Sequence, residues 1–174
     1  TYPYTITVGT PNDGEYAWTV PGVESTTVRV RVTATDDVGH VTTDASEADF
    51  AIDNTAPVVV LTAPNGGELL RGGSTFTITW NATDAHFGAQ PIALSYSLDG
   101  GTTYTDIVTA TVNTGEYAWT VPEVETDTVR VRVTATDLVR HSVSDESGDF
   151  GIDAITPTAE LTAPVSGELL RGGA

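Results

Sequence analysis

The sequence repeats itself at a period near 100 residues, and that limits what its 174 residues can fold into. Gly14 to Pro21 reads GEYAWTVP, and Gly115 to Pro122 reads the same. Val28 to Asp36 reads VRVRVTATD and recurs at Val129 to Asp137, so the offset is 101. Leu61 to Pro64 recurs at Leu161 to Pro164, and Gly67 to Gly73 at Gly167 to Gly173, at an offset of 100. One residue is therefore lost in between. A solenoid unit is shorter, roughly 20–50 residues; a period of about 100 suits a two-sheet sandwich. The expected layout is a partial repeat over 1–56, a complete one over 57–156 and the first strand of a further one over 157–174.

Within the complete repeat apolar residues recur at every second position, the signature of half-buried strands. Phe76, Ile78 and Trp80 alternate with threonines. Ile92, Leu94, Tyr96 and Leu98 follow the same rule, as do Tyr117, Trp119 and Val121, and then Val129, Val131, Val133 and Ala135. The opposite face is Thr, Ser and Arg, as an antiparallel sheet with one wet face requires. PNGG, LDGG and NTG supply the turns. Lettered in chain order, about seven strands are predicted: A near 58–63, B near 74–81, C near 92–98, C′ near 104–110, E near 116–121, F near 128–136 and G near 148–153. The partial repeat over 1–56 would hold C′ to G, exposing an apolar face and unpaired edges that another copy could cover. No segment has a helical stripe. The expected class is all-β, closed by packing two sheets face to face.

Charge excludes several functions. There are 24 acidic and 7 basic residues, giving a formal net charge of −17. Clustered cations for a phosphate backbone are absent, which argues against nucleic acid. No apolar run approaches ~20 residues, so membrane insertion by a helix is not expected, and no signal peptide is visible. Without Cys there are no disulfides and no thiolate sites. Without Met the numbering is expected to start inside a longer or processed polypeptide. The acidity fits either salty surroundings or divalent counter-ions.

The pattern PNGGE, GGSTFTITW, YSLDGGTTY, GEYAWTVP, VRVRVTATD and F-x-ID resembles the immunoglobulin-like or fibronectin type III-like repeats of large bacterial and archaeal surface proteins. Its front part is also similar to the domain of the yeast cell-wall synthesis family. Strand F lacks the Tyr usual in fibronectin type III domains. Asp53-Asn54-Thr55-Ala56-Pro57 resembles the linker of tandem adhesin domains, and more loosely cadherin linkers. The resemblance implies an extracellular, multi-repeat surface protein, and it implies Ca²⁺ at the junctions between repeats.

Tracing a seven-strand sandwich brings the B–C and F–G loops to the end facing the preceding repeat. Asp84 and Asp137 lie there, and the linker adds Asp53 and Asn54. Calcium takes six to eight oxygens in a loose geometry, so these four are the candidate metal ligands. The competing reading is that Asp at loop ends makes Asx turns, and no dense D-x-D-x-D-G loop is present. Asp36, Asp37 and Asp153 would serve neighbouring junctions. His40, His86 and His141 are read as solvated loop residues, because a zinc site wants three or four such ligands. Trp80 and Trp119 face inward, and Trp18 is the repeat partner of Trp119. The aromatics available for a sugar platform are Tyr2, Tyr4, Phe87 and Tyr104, and they are scattered. Arg29, Arg31, Arg130 and Arg132 form a solvated outward row. Asn81-Ala82-Thr83 is an N-glycosylation sequon.

No nucleophile elbow, phosphate loop or H-E-x-x-H frames a reaction, so no enzyme is expected. The leading expectation is a structural or adhesive module of a surface protein or filament, contacting neighbouring repeats or other copies of the chain and stiffened by calcium. The alternative is a carbohydrate-binding accessory module that meets a surface glycan.

Overall fold

The computed structural model describes residues 1–173. All regular structure among them is strand. Residues 1–56 hold β1 (Ser25–Val28), β2 (Arg31–Thr35), β3 (Val41–Ala45) and β4 (Phe50–Ile52). Then come β5 (Val58–Ala63), β6 (Leu69–Arg71), β7 (Thr75–Thr83), β8 (Phe87–Ser97), β9 (Thr105–Thr111), β10 (Glu116–Thr120), β11 (Thr126–Asp137), β12 (Ser142–Glu146) and β13 (Phe150–Asp153).

From β5 to β13 the strands build two layers. One sheet has the order β10-β7-β5; the other runs β6-β13-β11-β8-β9, with β12 paired to the second half of β11. Every pairing is antiparallel except that of β6 with β13. Side chains alternate across each strand, so every second residue enters the space between the sheets. Ile78, Trp80, Leu61 and Trp119 from the first sheet meet Ile92, Leu94, Val131, Val133 and Phe150 from the second, and all are buried.

The expected seven strands need three corrections. The third strand starts at Phe87 rather than near 92, because it continues along β11 as far as the Asp137–Phe87 pair. A further strand, β12, precedes the expected last one, β13. β12 lies along residues 132–136 of β11, and β13 lies along its start. Between them Ser147 turns inward, where its hydroxyl accepts the Val131 N–H at 3.0 Å and its N–H donates to the Val131 carbonyl at 2.9 Å. In the first repeat Ser46 makes the same pair with Val30, and the one-residue difference between copies falls next to it, Glu47-Ala48 against Gly148. A bulge absorbs such a difference without moving the flanking registers. The third correction is β6, which docks the LLR of GELLRGG parallel to β13.

Identical sequence does not give identical structure along the chain. Residues 116–120 of the second GEYAWTVP pair with β7, whereas the first copy is not in a strand. VRVRVTATD lies within the single strand β11 in one place and is divided between β1 and β2 in the other. Val133 is fully buried and its counterpart Val32 is 65% exposed. The reason is pairing: β7 and β8 flank these segments in the complete sandwich, whereas among the described residues β1 pairs only with β4 and β2 only with β3. The apolar face of the first repeat instead lines an open groove of ≈ 1090 Å³, bordered by Tyr2, Trp18, Val28 and Ile52. The strand expected near Thr158–Ala163 does not form either, and residues 157–173 are exposed. A strand is stabilised by its neighbours, and among the described residues this segment pairs with no strand.

The LDGG turn between β8 and β9 is pinned by Asp99. Its carboxylate accepts from the Ser97 hydroxyl at 2.6 Å and from the Thr103 hydroxyl and N–H at 2.6 and 2.8 Å. Gly100 and Gly101 follow at φ 69° and 92°, the left-handed region that glycine occupies at least cost. These bonds, the Ser97 hydroxyl first, lower the Asp99 pKa from 3.8 to about 2. A carboxylate depressed on folding stabilises the native state above its unfolded pKa. That stabilisation is lost as pH falls through the folded value. Asp99→Asn should therefore melt at a lower temperature than the parent at neutral pH. The gap should close as pH falls from about 4 toward about 2. Melting curves across that window check it, and a constant gap would refute it.

Candidate functional site

The end of the sandwich that faces β4 gathers three short segments. The β7–β8 loop brings Asp84 and His86. The β11–β12 turn brings Asp137 and His141. The connection from β4 to β5 brings Asp53 and Asn54. The two loops touch each other, because the Leu138 N–H donates to the His86 carbonyl at 3.0 Å.

The β11–β12 turn is built by its own carboxylate. Asp137 Oδ1 accepts the N–H groups of Val139 and His141 at 2.9 and 2.8 Å, and Oδ2 lies 2.8 Å from His141 Nδ1. The Asp137 side chain has no exposed surface. Burial pushes its pKa up, but the His141 N–H, the His141 ring and the Val139 N–H outweigh this and hold it below the usual carboxylate value. Asp36 and His40 make the same turn in the first repeat, in the open. The Asp–His pair is thus a local property of the D-x-x-x-H turn. Its left-handed position is Gly39 in one copy and Arg140, at φ 74°, in the other.

The linker is clasped from behind. Glu24, just ahead of β1, accepts the Asn54 N–H at 2.9 Å and the Thr55 hydroxyl at 3.1 Å through Oε2. Asp53 Oδ1 accepts the Thr55 N–H at 3.0 Å. One repeat later Glu125 Oε2 accepts the Ala154 N–H at 3.0 Å and Asp153 Oδ1 the Ile155 N–H at 2.8 Å. The clasp belongs to the repeat.

Asp53 Oδ2 stands apart. Its side chain is 3% exposed, and among the described residues it is the buried side-chain polar atom left without a hydrogen bond. His86 Nδ1 lies 2.9 Å away, yet without the alignment of a hydrogen bond. Two sets of ligand-type atoms converge here: Glu24, Asp53 and His86, and Asp53, Asp137 and His141. Within each set the atoms lie no more than 4.8 Å apart.

The four ligands expected from sequence thus fare differently. Asp53 and Asp137 come together. Asp84 does not join them: its Oδ1 accepts the His86 N–H at 2.6 Å, an Asx turn that orients the following residues. Asn54 contributes its backbone N–H to the clasp. The sequence reading set the histidines aside as solvated, but His86 and His141 have side chains only 29% and 36% exposed and sit against carboxylates. It also missed Glu24. The available signal was recurrence, since Glu24 and Glu125 occupy equivalent positions in the two copies.

Among the aromatics, the Tyr104 ring is covered by the Arg132 guanidinium 3.5 Å from its centroid, and its hydroxyl donates to Glu146 at 2.9 Å. Tyr2 is capped in the same way by Arg31 at 4.5 Å. Phe87 packs against the core. Three arginines of the row pair with acids: Arg29 with Asp49 just ahead of β4, Arg130 with Asp149 just ahead of β13 at 2.6 Å, and Arg132 with Glu146 in β12 at 2.7 Å.

Residues 57–133 match the bacterial Ig domain family. No curated protein matches the chain. Among solved structures it is similar to the fibronectin(III)-like modules of Clostridium thermocellum CbhA. That likeness has 14% identity and a TM-score of 0.39, and it covers 57% of this chain and 100% of that one. Ig-like and fibronectin III-like domains are typically non-catalytic modules of extracellular or surface proteins. The sheet order and the family match together make the complete sandwich an immunoglobulin-like domain.

Proposed function

We propose that this chain is part of a tandem array in an extracellular, multi-domain surface protein or filament, where Ig-like repeats serve as a structural and adhesive spacer. Near-identical modules add length without adding chemistry. The observation that supports this most is the repeated clasp, in which Glu24 and Glu125 each hold the start of the connection that follows their repeat. A clasped connection fixes the exit direction of the chain, so successive repeats keep one angle. An unclasped one of this length would swivel.

The test is X-ray scattering on arrays of two, four and six copies of residues 57–156, joined through their own connections. The expected result is a maximum dimension that rises in proportion to repeat number. Growth near the square root of repeat number, as for a flexible chain, would sink the spacer reading.

A further inference from the structure

Asp53 presents an unusual arrangement. A carboxylate oxygen is buried, accepts no hydrogen bond, and has an imidazole nitrogen 2.9 Å away that is not aimed at it. A buried carboxylate oxygen without a hydrogen bond is costly, even though the other oxygen, Oδ1, accepts the Thr55 N–H. Two ligands of one ion sit in this way, close together and each directed at a third point. The surroundings supply more donors of the same kind: Glu24 on one side, Asp137 with His141 on the other, each set spanning at most 4.8 Å. Ligands placed about 2.0–2.2 Å from a common ion fall within such a span.

We propose that this junction binds a divalent first-row transition ion of the Zn²⁺ class. Asp53 Oδ2 and a ring nitrogen of His86 hold it, and the remaining donors come from Glu24 and the Asp137–His141 pair. The donor chemistry selects the ion. Calcium takes oxygen ligands, whereas imidazole favours zinc and its neighbours. Two imidazoles beside three carboxylates therefore point away from calcium, the ion that the linker resemblance implies. The placement also gives the ion a structural consequence. Glu24 and Asp53 precede β5, and His86, Asp137 and His141 belong to the sandwich, so the ion ties the connection to the domain that follows it. The site lies within a single chain and does not depend on the array reading.

The experiment is titration calorimetry on the full chain with ZnCl₂ and, separately, CaCl₂, with Co²⁺ visible absorption to report the coordination. The parent should bind a single Zn²⁺, and Ca²⁺ should neither bind comparably nor compete. Asp53→Asn and His86→Gln should each weaken Zn²⁺ binding at least ~10-fold, since even residues supporting a ligand are worth that much. His40→Gln, in the matching exposed turn, should leave it unchanged. Melting in chelator shows whether the variants fold. If Asp53→Asn does not, His86→Gln alone decides, because His86 is a partly exposed loop residue. No Zn²⁺ binding by the parent would overturn the proposal and leave a histidine–carboxylate contact. Equal binding by His86→Gln, or Ca²⁺ binding as tight as Zn²⁺, would overturn it too. None of these outcomes bears on how array length scales with repeat number.

Discussion

Trp119→Ala should destabilise the sandwich by about 3–5 kcal/mol, while Trp18→Ala should change it by less than about 0.5 kcal/mol. The two tryptophans occupy the same place in the same octapeptide. Trp119 is 4% exposed, lies opposite Phe76 in the β10–β7 ladder and packs against Tyr96 at a centroid distance of 5.5 Å. Removing it leaves a cavity that two hydrogen-bonded sheets cannot collapse to fill. Trp18 is only half-buried and belongs to no strand, so its loss removes little that unfolding would expose. For a domain of this size a few kcal/mol lowers Tm by more than about 10 °C. Thermal and urea unfolding of both variants, followed by near-UV circular dichroism, would separate them. Equal shifts would mean that the first repeat packs its own core as tightly as the second, against the exposure of Val32 and Val41.

This contrast also shows what a sequence can carry. Alternation placed Ile78, Trp80, Leu94, Trp119, Val131 and Val133 in the core, and all are buried. That inference needs only the period of a strand and a dry face. Alternation is blind to partners, however. VRVRVTATD reads the same at both places, yet becomes one long strand only where β8 and β13 flank it. The break between β12 and β13 was hidden for a related reason: its cause is Ser147, a polar residue turned inward to serve the Val131 backbone, and no periodicity marks such a bond. At the junction, chain tracing brought Asp53 and Asp137 to one end. It could not tell that Asp84 and Asp53 would each close a turn through Oδ1, nor that Asp53 would keep a buried Oδ2 without a hydrogen bond. The histidines were undervalued because a loop residue is solvated by default, and only the approach of the two loops to the linker partly buries them.

Asn113→Ala should cost about 2–4 kcal/mol, a large effect for one residue outside the apolar core, because a buried indole N–H and a partly buried carbonyl depend on it. Its Oδ1 accepts the Trp80 indole N–H at 2.9 Å, and its Nδ2 donates to the Ala82 carbonyl at 2.9 Å. Trp80 is buried, so its N–H has no solvent to turn to, and β7 is paired on both sides with β5 and β10. The amide thus ties the start of the NTG turn to the centre of the first sheet. Trp80→Phe removes the indole N–H while keeping much of the ring, which makes a double-mutant cycle informative. If the bond carries the effect, Asn113→Ala should cost less in the Trp80→Phe background by about 0.5–3 kcal/mol. The remainder would report the Ala82 carbonyl and the turn. Urea midpoints of the four proteins measure this. Strict additivity would show that Asn113 acts through the turn backbone alone, and that the indole N–H finds another acceptor once the amide is gone.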